Sequence, residues 1–345
     1  MTADTLTREA SGRRSRRTVL KGGAALAGAL AAPAIVSPRV LASSGEVNVL
    51  MWSDYLPASF VDSFTNKTGI KINFTGIGSN EEILNKLKAT KGQGFDIATP
   101  TMDRAPQWAD LDLLQPFDMS RVPIDKVNAG MAEKGGAIWD EANAGKTMGR
   151  AHSMLLCAGL YLERVGQLDA GSMWAAYESE ERMRPIWEKV TDWCIARKGN
   201  IKIIWNDADT QKNGLMNEGV IVGQTWDGPP IALKNQGQPV MYRAALEGAM
   251  AWIDGMSLPA GAQNIDQAYA FIQHCYDAEA AGKAIDTHGY NSPVIGAERY
   301  ANAQYAKNFA DAYPGDALQK LNPWPPTQSW YADVRAQYVN KFQSA

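Results

Sequence analysis

Four short stretches place a tryptophan beside or near a carboxylate at the end of an apolar run: Trp52-Ser53-Asp54-Tyr55, Trp205-Asn206-Asp207, Trp226-Asp227-Gly228 and Trp252-Ile253-Asp254. A carboxylate neutralises an ammonium group, and the π faces of Trp and Tyr attract cations while covering methylene chains. Recognition of a small amine is the chemistry such pairs offer; the competing reading is core tryptophans next to surface aspartates. Catalysis has no comparable anchor. His152, His274 and His288 show no HExxH or HxH spacing, and no GxSxG, P-loop or GxGxxG motif is present. Cys157, Cys194 and Cys275 form no CxxC or other metal-type spacing and allow at most one disulfide. Asp207-Ala208-Asp209, with Gln211 and Glu218, echoes a calcium loop, but Lys212 stands where that loop needs glycine. The residues point to a binding protein rather than an enzyme, with no metal and no cofactor.

The elements that must position these pairs alternate between strand and helix. Val47 to Met51 reads as a strand, Pro57 to Lys67 as a helix, Lys71 to Thr75 as a strand, and Ser79-Asn80-Glu81-Glu82 as a capping box opening a helix through about Ala89. Phe95 to Ala98 is a third strand. This β-α-β-α-β order predicts a parallel sheet, whose carboxyl ends carry Trp52 to Tyr55 and Thr99 to Asp103. Farther along, Ser172 to Arg197 reads as a long helix kinked or divided at Pro185, with Trp187, Val190 and Trp193 in its core face. Strands are expected at Ile201 to Trp205, Val220 to Gln224 and Ala249 to Leu258, and a helix from Gln263 with Ala268, Phe271 and Ile272 inward. At 345 residues the chain has room for two domains.

Residues 1–42 read as an export signal. Ser15-Arg16-Arg17-Thr18-Val19-Leu20-Lys21 has the twin-arginine pattern, the Gly/Ala-rich stretch Gly22 to Val36 is too short to span a bilayer, and Val40-Leu41-Ala42 suits a small-residue cleavage site. Cleavage takes seven basic and two acidic residues with it and leaves 27 basic against 35 acidic, a net charge of −8. That balance argues against a nucleic-acid partner and is compatible with a cationic ligand. A periplasmic location follows.

From Val47 onward the chain resembles the periplasmic polyamine-binding proteins of ABC importers, the spermidine/putrescine-binding family. The blocks that carry the resemblance are VNVLMWSDYLPASFVDSFTNKTGIKINF (47–74) with GSNEEILNKLKA (78–89) and FDIATPT (95–101), then LMNEGVIVGQTWDGPP (215–230), and finally EGAMAWIDGMSLPAGAQNIDQAYAFI (247–272) with HGYNSPVIG (288–296). The resemblance implies an α/β, two-lobed periplasmic-binding-protein fold of the Venus-flytrap type II, with ligand in the cleft. It implies lobe 1 from 43–127 plus about 247–303, and lobe 2 from about 128–246 plus 304–345. By the same resemblance Trp52, Ser53, Asp54 and Tyr55 line one wall, and Thr101 and Asp103 follow. Asp207 lies near a polar cleft position, Trp226 stacks on ligand, Trp252 and Asp254 supply an aromatic and the amine-binding carboxylate, and Tyr290 is a cleft aromatic.

Two departures qualify this. Where polyamine binders offer an acidic pair, GKTMGRAHSMLL (145–156) has Arg150 and His152, and an arginine there would accept a carboxylate bidentately. Near 119–138 the chain runs almost directly into IWDEANAGK (138–146), so that roughly thirty residues of the family's first inter-lobe crossing are absent, with loss of a hinge strand and its ladder bonds. The expected function is capture of a polyamine-like amine and its delivery, by a monomer docking transiently, to an inner-membrane ABC permease. The alternatives are a zwitterionic or acidic amino compound held through Arg150, or a degenerate member impaired in closure.

Overall fold

The computed structural model describes residues 45–104, 107–108, 111–127 and 153–345. The twin-arginine segment, Arg150, His152 and the part of the expected shortening beyond Val127 lie outside the described residues.

Strand β1 (Glu46–Trp52) buries apolar side chains on both faces, with Val47, Val49 and Leu50 fully buried, as a strand covered on both sides does. Helix α1 (Ala58–Thr68) leads to β2 (Lys71–Ile77), and α2 (Asn80–Thr90) leads to β3 (Ile97–Ala98). The three strands are parallel in the order β2-β1-β3, with Val49 opposite both Phe74 and Ile97. Ser79 Oγ accepts from the Glu82 amide at 3.0 Å, as the capping pattern predicts; the Glu82 carboxylate reaches back one residue farther than in the usual box, to the Gly78 amide at 3.0 Å.

The chain continues through β4 (Leu114–Gln115), α3 (Ser153–Arg164), a single turn at Ser172–Ala175, α4 (Glu180–Ile195), α5 (Ala208–Met216) and α6 (Gly228–Asn235). It ends with β5 (Met250–Ala251), β6 (Leu258–Pro259), α7 (Ile265–Cys275), α8 (Ala278–His288), α9 (Tyr305–Ala312), β7 (Asn322–Pro323) and α10 (Ser329–Ser344). Side chains of α1 and α7 (Phe60, Phe64, Phe271, Ile272) cover one face of the sheet, while Ile83, Leu87 and Trp108 cover the other. A separate core forms where α3, α4 and α10 meet, around Leu155, Leu156, Trp187, Val190, Tyr331, Tyr338 and Phe342. Between the cores run residues 250–259. Met250 and Trp252 pack on the second core, Met256 and Leu258 on the first, and β5 pairs with β7 while β6 pairs with β4.

Three expectations need correction. Ile201 to Trp205 and Val220 to Gln224 are not strands: neither joins a ladder, and Ile221 and Val222 are 96% and 83% exposed. β-branched composition favours an extended backbone, but a strand exists only where a neighbour takes its amide and carbonyl groups. The two segments instead line a cavity of about 420 Å³, joined by a Trp205 Nε1 bond to the Gln224 carbonyl at 2.8 Å. The expected strand over 249–258 is broken into β5, β6 and isolated bridges that pair Thr101 with Asp254 and Ala98 with Ser257. The long helix divides at 176–179 rather than at Pro185, which sits inside α4, because Ser179 caps a new start by accepting from the Arg182 amide.

Gly289 closes α8 at φ +80°, its amide donating to the Ile285 carbonyl at 2.7 Å. A Cβ there would lie 2.1 Å from the Gly228 carbonyl oxygen and 2.7 Å from the Ala232 amide nitrogen of α6. Gly289→Ala is expected to destabilise by roughly 2 kcal/mol or more, from the left-handed backbone plus the collision; urea unfolding checks this, and an unchanged midpoint would refute it.

Candidate functional site

Trp52 ends β1 with its indole buried, and its Nε1 donates to the Thr99 carbonyl at 2.9 Å, tying the carboxyl ends of β1 and β3 together. The turn that follows brings Tyr55 back over the strand ends, its amide on the Trp52 carbonyl at 3.1 Å. Tyr55 then donates its hydroxyl to the Asp254 carboxylate, which also receives Trp252 Nε1 at 3.2 Å. Burial first, and the adjacent Asp254 charge second, push the Tyr55 phenol well above its ordinary range, so it stays a donor.

Five rings close a circuit. Trp52 lies 6.4 Å from Tyr55, Tyr55 5.4 Å from Tyr290, Tyr290 6.5 Å from Trp252, Trp252 6.4 Å from Trp226, and Trp226 6.2 Å from Trp52. Interplanar angles of 43° to 82° make the contacts tilted or edge-to-face rather than stacked. Such a circuit, with the Asp254 carboxylate bonded to two of its members, can combine quadrupole attraction with charge neutralisation for an ammonium group. Trp205 lies 5.0 Å from Trp226, and His288 lies 5.9 Å from Tyr55. Burial, then Lys212, holds the His288 imidazole down at about 4, so it is neutral at physiological pH and does not repel a cation.

The other residues singled out in the sequence divide in their surroundings. Asp54 is half-buried and close enough for its charge to act on Tyr55. Thr101 pairs its backbone with Asp254 and is clamped by Asn80, whose amide group donates to Thr101 Oγ1 at 2.8 Å and accepts from the Thr101 amide at 3.0 Å. Asp103 is 2% exposed, and burial pushes its carboxyl well above the usual range against the pull of Arg104. Ser53 is exposed and donates to the Ile77 carbonyl at 2.9 Å. Asp207 spends both carboxylate oxygens on the α5 N-terminus, accepting from the Thr210 amide at 2.7 Å and hydroxyl at 2.8 Å. Asp227, beside Trp226 in the chain, accepts from the Tyr313 hydroxyl at 2.7 Å instead of meeting the rings. Asn80 and His288 lacked any ligand signal in the sequence beyond their places in the capping box and before Gly289-Tyr290. Among the described residues no group of three or more His, Cys, Asp or Glu could hold a metal ion.

The profile of the family described as bacterial extracellular solute-binding proteins matches residues 131–311, just over half of the chain. The chain belongs to this family. Among curated solute-binding relatives, it is 23% identical to a spermidine/putrescine-binding periplasmic protein of Haemophilus influenzae over 88% of this chain and 90% of that one. Solved structures agree on the fold. A candidate spermidine/putrescine ABC transporter protein of Listeria monocytogenes superposes with a TM-score of 0.68 at 20% identity, covering 87% of this chain and 99% of that one. The spermidine/putrescine substrate-binding protein PotD of Streptococcus pneumoniae superposes with a TM-score of 0.64 at 20% identity and the same coverage. This solute-binding protein therefore has the two-lobed α/β periplasmic-binding-protein fold.

Proposed function

We propose that the protein is the substrate-binding component of an ABC importer and captures a small amine of the putrescine and spermidine class in the periplasm, delivering it to an inner-membrane permease. The observation that carries this reading is the closed circuit of Trp52, Tyr55, Tyr290, Trp252 and Trp226 with Asp254 held on it by two donors. Ammonium pairing at Asp254, with Asp54 nearby, supplies charge; the rings cover the methylene chain. Ligand-driven closure would bring lobe 1 (43–127 plus about 247–303) against lobe 2 (about 128–246 plus 304–345), residues 250–259 serving as a crossing. The twin-arginine segment would export the folded monomer, which docks transiently on the permease.

Calorimetry of the chain lacking residues 1–42 is expected to show saturable heat with putrescine, spermidine or agmatine and none with purely anionic solutes. Absence of heat with every cationic amine would defeat the proposal. A second reading, a family member impaired in closure, is favoured by the unladdered segments Ile201 to Trp205 and Val220 to Gln224. A thermal-shift panel separates the two, because a ligand that binds only the native state raises the melting temperature.

A further inference from the structure

Helix α8 ends at His288, and Gly289 then turns the chain toward Tyr290. The Tyr290 amide donates to His288 Nδ1 at 3.0 Å, the two-residue span that an aspartate or asparagine side chain bridges in an Asx turn. A ring nitrogen that accepts carries no proton, so the neutral imidazole bears its hydrogen on Nε2. His288 also packs on the circuit as a sixth ring, 5.5 Å from Tyr290 and 5.9 Å from Tyr55. Tyr290 is the ring that joins Tyr55, at 5.4 Å, to Trp252, at 6.5 Å. Its own ring rests on the first residue of α6, where a Cβ on Gly228 would lie 2.4 Å from Tyr290 Cε1. The bond to His288 holds the backbone end of the same residue.

Opposing effects act on the imidazole. The carboxyl end of α8 favours a protonated histidine, but burial and then Lys212 on α5 win, holding the group down at about 4. The carboxylates on the elements packed around it are engaged elsewhere. Asp254 accepts from Tyr55 and Trp252, Asp227 from Tyr313 and Asp286 from the Asn302 amide at 2.7 Å, while Asp54 acts on Tyr55. Deepening the proposed function, on whose amine-binding reading it rests, we infer that His288 positions Tyr290 in the ring circuit through its accepting Nδ1, and that the site takes its amine only while that nitrogen is unprotonated. Protonation does two things at once. It turns Nδ1 into a donor facing the Tyr290 amide, which releases that residue, and it sets a cation beside rings that would receive an ammonium group. By linkage, an amine bound beside His288 makes the imidazole harder to protonate by the same factor that protonation weakens the amine.

The test is calorimetry of the chain lacking residues 1–42, and of its His288→Phe and His288→Asn variants, with putrescine, spermidine and agmatine near neutral pH. Phenylalanine keeps a ring without an acceptor, whereas asparagine restores an acceptor at the Asx-turn spacing and does not titrate. His288→Phe is expected to bind each amine that the wild type binds about 3- to 10-fold more weakly, the range of one ordinary hydrogen bond, and His288→Asn to stay within about twofold of the wild type. NMR of the imidazole nitrogens, with the His288 signal identified by its loss in His288→Asn, should show Nε2 protonated and Nδ1 bare. Saturating amine should move the His288 titration to lower pH. Binding by both variants within about twofold of the wild type, even with lower melting temperatures, makes His288 a structural residue and overturns the inference. So does equal weakening of the two variants, which assigns the effect to packing rather than to the acceptor, or a His288 titration that saturating amine leaves unmoved. In each of these cases amine binding by the wild type keeps the proposed function standing. If the wild type binds none of the three amines, the proposed function falls and this inference with it.

Discussion

Asp254→Ala is expected to reduce affinity for a primary amine by at least about 1.5 kcal/mol, and more where the ammonium is fully enclosed. The effect has two parts. The first is direct loss of the carboxylate that faces an incoming ammonium. The second comes from the box itself, because Asp254 accepts from the Tyr55 hydroxyl and from Trp252 Nε1. Removing it leaves two donors without that acceptor and loosens two of the five rings. Asp254→Asn separates these parts, since its carbonyl oxygen can still accept from one donor while the charge is gone. Calorimetry should rank wild type above Asp254→Asn and Asp254→Asn above Asp254→Ala. Amine affinity of Asp254→Ala within threefold of wild type would show that the ring circuit is a packed core and not a binding site.

For stability, Asp96→Ala should have the largest effect, about 3 kcal/mol or more at pH 7. Asp96 is 2% exposed and accepts five hydrogen bonds: from the Asn48 amide at 2.9 Å and side chain at 2.8 Å, from the Gln263 amide at 3.1 Å, and from the Asn264 amide and side chain, both at 2.9 Å. It thus pins β1 to the start of α7, and truncation would leave enclosed donors unpaired. Burial alone would raise the Asp96 pKa, but the bonds from Asn264 and Asn48 outweigh it and hold the carboxyl below its ordinary value. A depressed folded pKa means that this stabilisation is present above the unfolded value of about 3.9 and is lost as pH falls through the folded one. The gap between wild type and Asp96→Ala in urea midpoints should accordingly be widest near neutrality and shrink below about pH 4. Neutral His288 adds its own loss of stability as pH falls below about 6.5, but equally in both proteins. A gap that does not narrow in acid would show that packing, not the charged carboxylate, is what Asp96 contributes.

Much of the first core was readable from local pattern. The doubly buried run of β1, the cap at Ser79 and the inward face of Ala268, Phe271 and Ile272 follow from side-chain period and backbone chemistry, which act within a few residues. The second half was less legible. Ile201 to Trp205 and Val220 to Gln224 carry every compositional sign of strands, but pairing depends on a neighbouring strand distant in sequence, and neither segment joins a ladder.

The candidate site shows the same division. Sequence alone determined which side chains could serve an amine, aromatics next to carboxylates at the ends of apolar runs, and spacing by itself does not separate Asp54, Asp207, Asp227 and Asp254, each of which follows a tryptophan by one or two residues. Tertiary structure gives them different surroundings. Asp207 is taken by a helix start and Asp227 by Tyr313, whereas Asp254 is turned into rings contributed by residues 52 to 290. The physical reason is that residue type sets what a group can bind, while desolvation and the partners already in reach set whether it is still available to bind it.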